Sequence, residues 1–269
     1  RKPGRKGMIA AMRLYFSYIA INLKSQMQYK MSFFLTALGQ FITAFTSFFG
    51  LYFIFSRISA VDDFTFGQVL LCFAVVMMAF SLGEMLGGSF SVFPRLLGNG
   101  EFDRALVRPR SVILQVLFPH MDFARIGITA QAVLVLCYAI PLSGVIWSWQ
   151  KILTLALMIL CGSALFFGLF LLQAAFCFFT VEDLGFLNLF TYGSRQFGRY
   201  PFSVYGKGVL HILTFIIPLA LFQYYPLLYL LDREHSPFYM LLPLAALLFL
   251  LPCYALFRFG MSRYKSVGS

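Results

Sequence analysis

The 269 residues are 60% hydrophobic and only 12% charged, with a formal net charge of +11. Soluble domains carry about 25% charged residues, so this chain cannot cover a water-facing surface and reads as an integral membrane protein. Its cysteines, Cys72, Cys137, Cys161, Cys177 and Cys253, stand singly inside apolar runs and match no thiol-metal or redox spacing.

Residues 1–30 are rich in Lys and Arg but lack the compact apolar core and cleavage site of a secretory signal. Apolar residues at roughly helical spacing predict an interfacial elbow helix over 11–30, leading into the first span. Six spans follow, at about 33–55, 69–90, 128–147, 152–179, 209–222 and 238–257, in a single domain covering 1–269. The first would cover about 35 Å, enough to cross a bilayer. The fifth is short and interrupted by Pro218. The stretch 224–237, YYPLLYLLDREHSP, is too apolar for an ordinary loop and reads as a re-entrant or interfacial element. The fold class expected is all-α integral membrane, with no evident internal repeat.

Basic residues alternate with the spans. Seven lie in 1–30, five in 94–127, three in 195–207 and three in 258–265, against Arg57, Lys151 and Arg233 on the other side. The positive-inside rule then puts both termini in the cytoplasm of a cell membrane. Anionic lipid accounts for the positive charge, and nucleic acid is not needed as a partner.

The first span has two stripes. Phe34, Leu38, Phe41, Phe45, Phe48, Tyr52 and Phe55 form an aromatic face, while Thr36, Gln40, Thr43, Ser47 and Gly50 form a polar one on the opposite side. The polar face either packs on a neighbouring helix or lines a substrate route. In the second span Gly83 and Gly87 let another backbone come close. Between them Glu84 is the only carboxylate in a span. It is a candidate proton carrier or an interfacial contact that reaches Arg95. With Thr36, Gln40, Thr43 and Ser47, these three residues are the expected pathway or dimer seam. GSRQFGRY at 193–200 has only the glycine spacing of a phosphate loop, lacking its lysine and its hydroxyl residue. The chain thus shows no nucleotide site, metal site or catalytic grouping of its own.

The longest polar break, GNGEFDRALVRPRSVILQ at 98–115, places Phe102, Leu106 and Val107 at helical spacing. GEFDRALVRP and Gln115, with the later TVEDLGFLNLFTYGSRQFGRYPFSVYGKGVLHILTFIIPLALFQYYPLLYLL, resemble membrane subunits of ATP-binding-cassette exporters. The likeness is to the type-2 permease class, in its six-span subgroup of about 260 residues, and runs from the elbow to the sixth span. It implies a cytoplasmic coupling helix between spans two and three, contacting the ATPase through Gly100, Glu101, Phe102, Asp103, Leu106 and Arg108. Glu182 and Asp183 would add secondary contacts. It also implies two ATP-binding-cassette subunits, a second permease that is a sibling or an identical chain, and ATP and Mg2+ held by the partner alone. The function expected is export of a hydrophobic or amphipathic solute. Ion-gradient transport through Glu84 and a non-transporting membrane scaffold are the alternatives.

Overall fold

The computed structural model describes residues 5–108, 111–180, 185 and 188–264. Helix α1 (Arg5–Gln26) runs through one 3-10 turn into α2 (Lys30–Phe55), so that Phe16–Phe55 forms one apolar stretch of 40 residues. Gln26 and Asn22 anchor this junction: the Asn22 amide donates to the carbonyls of Phe118 and Met121 at 3.0 and 3.1 Å. The helix begins earlier than the expected elbow, and only the 3-10 turn separates it from the first span.

A two-residue hairpin, β1 (Ala60–Val61) and β2 (Phe64–Thr65), connects α2 to α3 (Phe66–Gly87). Asp62 and Asp63 turn it with φ of 48° and 64°, the pair of positive angles that suits a tight hairpin. Thr65 and Gln68 then close a capping box on α3.

Helix α3 is apolar on every side, the pattern of a helix enclosed by others, and Val69 to Ala74 are all fully buried. It packs between α7 (Ile126–Leu142) and α8 (Trp149–Thr180), while α2 leans on α7, and α13 (Pro237–Ala246) and α14 (Leu250–Arg263) lean on α8. Beyond α3 the chain continues through a 3-10 turn to α4 (Phe93–Gly98), then α5 (Glu101–Leu106) and α6 (Val112–Leu117). The bundle therefore has an α5 end and a hairpin end. The third span, expected to reach residue 147, stops at Leu142, where Ser143 and then Gly144 (φ 70°) turn the chain.

The fifth span is a larger correction, because no single helix over 209–222 crosses the bundle. Helix α10 (Lys207–Phe215) has nine residues, about 14 Å, against a 30 Å hydrocarbon layer. Gly206 (φ 85°) opens it, and the Pro218 break bends it by 88° from the helices that follow, α11 (Leu219–Phe222) and α12 (Tyr224–Leu230).

Two separate pieces cross instead. Residues 188–200, a π turn (Leu189–Gly193) and then α9 (Ser194–Phe197), climb from the α5 end to mid-bundle. Asn188 accepts from the Gln173 amide at 3.1 Å, the Tyr192 ring lies 5.7 Å from Phe80, and Gly198 abuts Val76. The hairpin-end half is α11–α12, running from Phe222 beside Gly162 to Asp232, which accepts from Lys151 Nζ at 2.7 Å. Buried Gln223 joins the halves: its amide donates to Tyr200 O at 2.9 Å and reaches Cys72 Sγ on α3 at 2.5 Å. The first part of 224–237, read as a re-entrant or interfacial element, is α12, which with α11 lies beyond an 88° bend from α10, the geometry of a broken span or a re-entrant loop.

Candidate functional site

Two places carry chemistry or mechanics. The first is α5. Gly100 precedes it with φ 67°, a left-handed conformation that glycine adopts without strain. Phe102 turns inward and is 1% exposed, in a nest of rings: Phe93 at 5.1 Å, Phe178 at 5.4 Å and Tyr264 at 5.3 Å between centroids. Phe257 completes the nest, 5.3 Å from Phe178. Through one side chain, α5 is keyed to the ends of three long segments: that of α3–α4, that of α8 and that of α14. Glu101, Arg104, Leu106, Val107 and Arg108 point outward, and Asp103 is half-buried.

The second is a cavity of about 570 Å³ between α2, α3, the start of α7 and residues 195–199. Thr36, Gln40, Thr43 and Ser47 line one wall, and Arg125, Arg195 and Arg199 line another. The hydroxyls of Thr36 and Thr43 donate within α2, to Ser32 O at 2.8 Å and Gly39 O at 2.7 Å. Only Ser47 reaches across, accepting from Arg199 Nη2 at 2.8 Å. Within this chain the stripe is a cavity wall.

The arginines climb the cavity. Arg125, at the α5 end, holds Glu84 Oε1 at 3.3 Å and Asp122 Oδ2 at 3.0 Å. Arg195 lies over the buried Phe80 ring at 4.7 Å, a cation–π contact. Arg199 sits higher still, at the level of Ser47 and next to Gly198, which packs against Val76.

A profile of the ABC-2 family transporter proteins matches residues 41–268. The chain belongs to this family. No curated protein and no solved structure gives a significant match. The chain is accordingly the membrane subunit of an ABC-2 transporter, a multi-pass helical protein that is not itself the catalytic part and works with ATP-binding-cassette subunits.

In this ABC-2 chain the residues singled out from the sequence separate into distinct roles. Thr36, Gln40, Thr43 and Ser47 do share one cavity. Gly83 and Gly87 each face α8 of the same chain, where a Cβ on Gly83 would meet Phe166 Cβ at 2.7 Å and one on Gly87 would meet Phe170 at 3.0 Å. Small residues are spent here on close packing inside the subunit. Phe102 anchors α5 inward and is not a surface contact, because its ring is enclosed. Gly100, Glu101, Asp103, Leu106 and Arg108 stay on or beside α5, while Glu182 and Asp183 lie outside the described residues. No group of three or more metal-ligating side chains occurs among the described residues.

Glu84 pairs with Arg125 and not with Arg95, and its side chain is 1% exposed. Glu84→Gln keeps the side chain's shape and an oxygen for Arg125, which still holds Asp122. ATP-driven transport by Glu84→Gln is therefore expected to stay largely in place, because Arg125 keeps a carboxylate partner. A loss of transport with ATP hydrolysis intact would restore Glu84 as a carrier.

Sequence reasoning missed Arg195, Arg199, Gln223 and Tyr192 as interior residues. Arginines close to span ends were counted as marking the membrane's inner face, and only the split fifth span carries these two inward. Gln223 gave a usable signal, since it is the one amide in 209–231 and follows a proline break.

Proposed function

We propose that this subunit exports a hydrophobic or amphipathic solute, driven by two cytoplasmic ATPases that carry ATP and Mg2+, and that α5 is the coupling helix between motor and membrane. Phe102 is the observation that carries this reading: it ties an exposed six-residue helix to three long membrane segments, as a lever requires. Nucleotide binding would displace α5, and the packed ends of α4, α8 and α14 would pass that displacement to the cavity. The solute must interact differently with the two states, or hydrolysis moves nothing.

Two further elements belong to the proposal. Both termini lie on the cytoplasmic side of the cell membrane in this reading, which the Lys and Arg of 1–30, 94–127 and 258–265 support. A second permease, sibling or identical, covers α10, whose Ile212 and Phe215 are exposed in the single chain.

Glu101 and Arg108 are exposed on or just beyond α5. Replacing both by alanine is expected to leave membrane insertion intact and to lower solute-stimulated ATPase activity about tenfold, the weight of one or two charged interface contacts. The check is ATPase activity of the purified complex at matched subunit content. Unchanged stimulation would remove α5 from the interface.

A further inference from the structure

The sequence left the exported solute's chemistry open, and the cavity narrows it. Three arginines line one space inside the bundle, and their surroundings are unequal. Arg125 is neutralised by Glu84 and Asp122. Neither Arg195 nor Arg199 forms a salt bridge among the described residues, and the Nε–H of each is buried without a hydrogen-bond partner. Glu84 acts on the Arg195 charge without a direct salt bridge, and Arg199 binds the neutral Ser47 hydroxyl. A guanidinium inside a membrane bundle is costly and is kept where it meets a charge. Their planar donor forks fit phosphate and carboxylate oxygens two at a time.

Shape adds the second half. From Thr36 to Ser47 the polar stripe rises 11 residues, about 16 Å of helix, so the cavity has height as well as charge. Its volume falls in the usual range for small-molecule sites. About 100° round α2 from that stripe, Leu35, Ile42 and Phe49 form an exposed apolar strip, beside which a chain could lie in lipid.

Resting on the exporter reading above, we infer that the solute is an anionic amphipath. Its phosphate or carboxylate headgroup enters the cavity and is handed from Arg125 towards Arg195 and Arg199, while its apolar tail stays against α2. Arg195 and Arg199 are then the binding residues, and Glu84 and Asp122 keep Arg125 from trapping the headgroup at the entrance.

The test uses the permease–ATPase complex in phosphatidylcholine nanodiscs, titrated with n-dodecyl phosphate, n-dodecyltrimethylammonium and inorganic phosphate, with empty nanodiscs as blank. Saturable binding of dodecyl phosphate is expected, with inorganic phosphate and the trimethylammonium at least about tenfold weaker. Arg195→Gln with Arg199→Gln should weaken dodecyl phosphate at least about tenfold, and the double lysine variant should recover part of the loss. Retained ATP hydrolysis and an unchanged elution volume show that each variant is assembled. The inference is overturned if the cationic amphipath binds as well as the anionic one, if inorganic phosphate matches dodecyl phosphate, or if the glutamine pair binds like wild type. A complex that hydrolyses ATP and transports but ignores headgroup charge sinks this inference alone. A permease that captures no ATPase sinks the exporter reading instead.

Discussion

Phe102→Ala is expected to leave the permease inserted and its ATPase bound while cutting solute moved per ATP about tenfold or more. Truncating a buried Phe costs about 3–5 kcal/mol when the surroundings cannot collapse. Here the loss falls on the joint between α5 and the nest of Phe93, Phe178, Phe257 and Tyr264. The outward face of α5, with Glu101, Leu106 and Arg108, remains available for docking, so motor binding survives. A loosened lever lets the ATPases cycle without moving the ends of α4, α8 and α14. Phe102→Leu, which keeps much of the apolar volume, should recover most of the coupling. Parallel assays of ATP hydrolysis and vesicle transport check this. A Phe102→Ala protein that transports as much per ATP as wild type would mean that α5 does not pass force through this ring.

Gly127→Leu should have the largest structural effect. A Cβ at Gly127 would run into the carbonyl of Ala37, so α7 and α2 touch backbone to backbone there. Helix α2 is otherwise weakly held, with only Ala44 and Leu51 buried along its length. Overpacking of a tight contact costs about 3 kcal/mol, or ~6–12 °C in Tm for a chain of this size. Because α2 forms the polar wall of the cavity, transport should fall with it. Gly50→Leu is the control: nothing lies within 4 Å of a Cβ there in the isolated chain. Thermal unfolding of both variants in detergent separates the cases, and equal Tm values would show that α2 is held elsewhere.

The apolar runs were readable because burial in lipid writes length and composition directly into sequence. The glycine pair of α3 was readable as a close approach, but not its partner, since Phe166 and Phe170 lie some 80 residues away. The polar stripe of α2 followed from helical periodicity alone. Its companions did not: Arg199 meets Ser47 across 152 positions, and Gln223 meets Cys72 across 151. The fifth span misled for a local reason. Hydropathy reports apolar length, and 209–222 is apolar, yet Gly206 and Pro218 confine α10 to nine residues. The π turn, the polar α9 and the residues after it carry Arg195 and Arg199 inward, although on composition these belong at a membrane surface. Phe102 was seen at the right helix position but assigned outward, because a six-residue segment does not reveal which side its one aromatic ring faces.

Transport into vesicles decides the central claim, that this membrane subunit draws its work from a docked ATPase. The permease is reconstituted alone and with its co-purified ATPase, and uptake of an anionic amphipath is followed with ATP, without ATP, and under an imposed proton gradient. Movement only when ATPase and ATP are both present is expected, with no response to the gradient. Accumulation by the permease alone under the gradient would contradict the account.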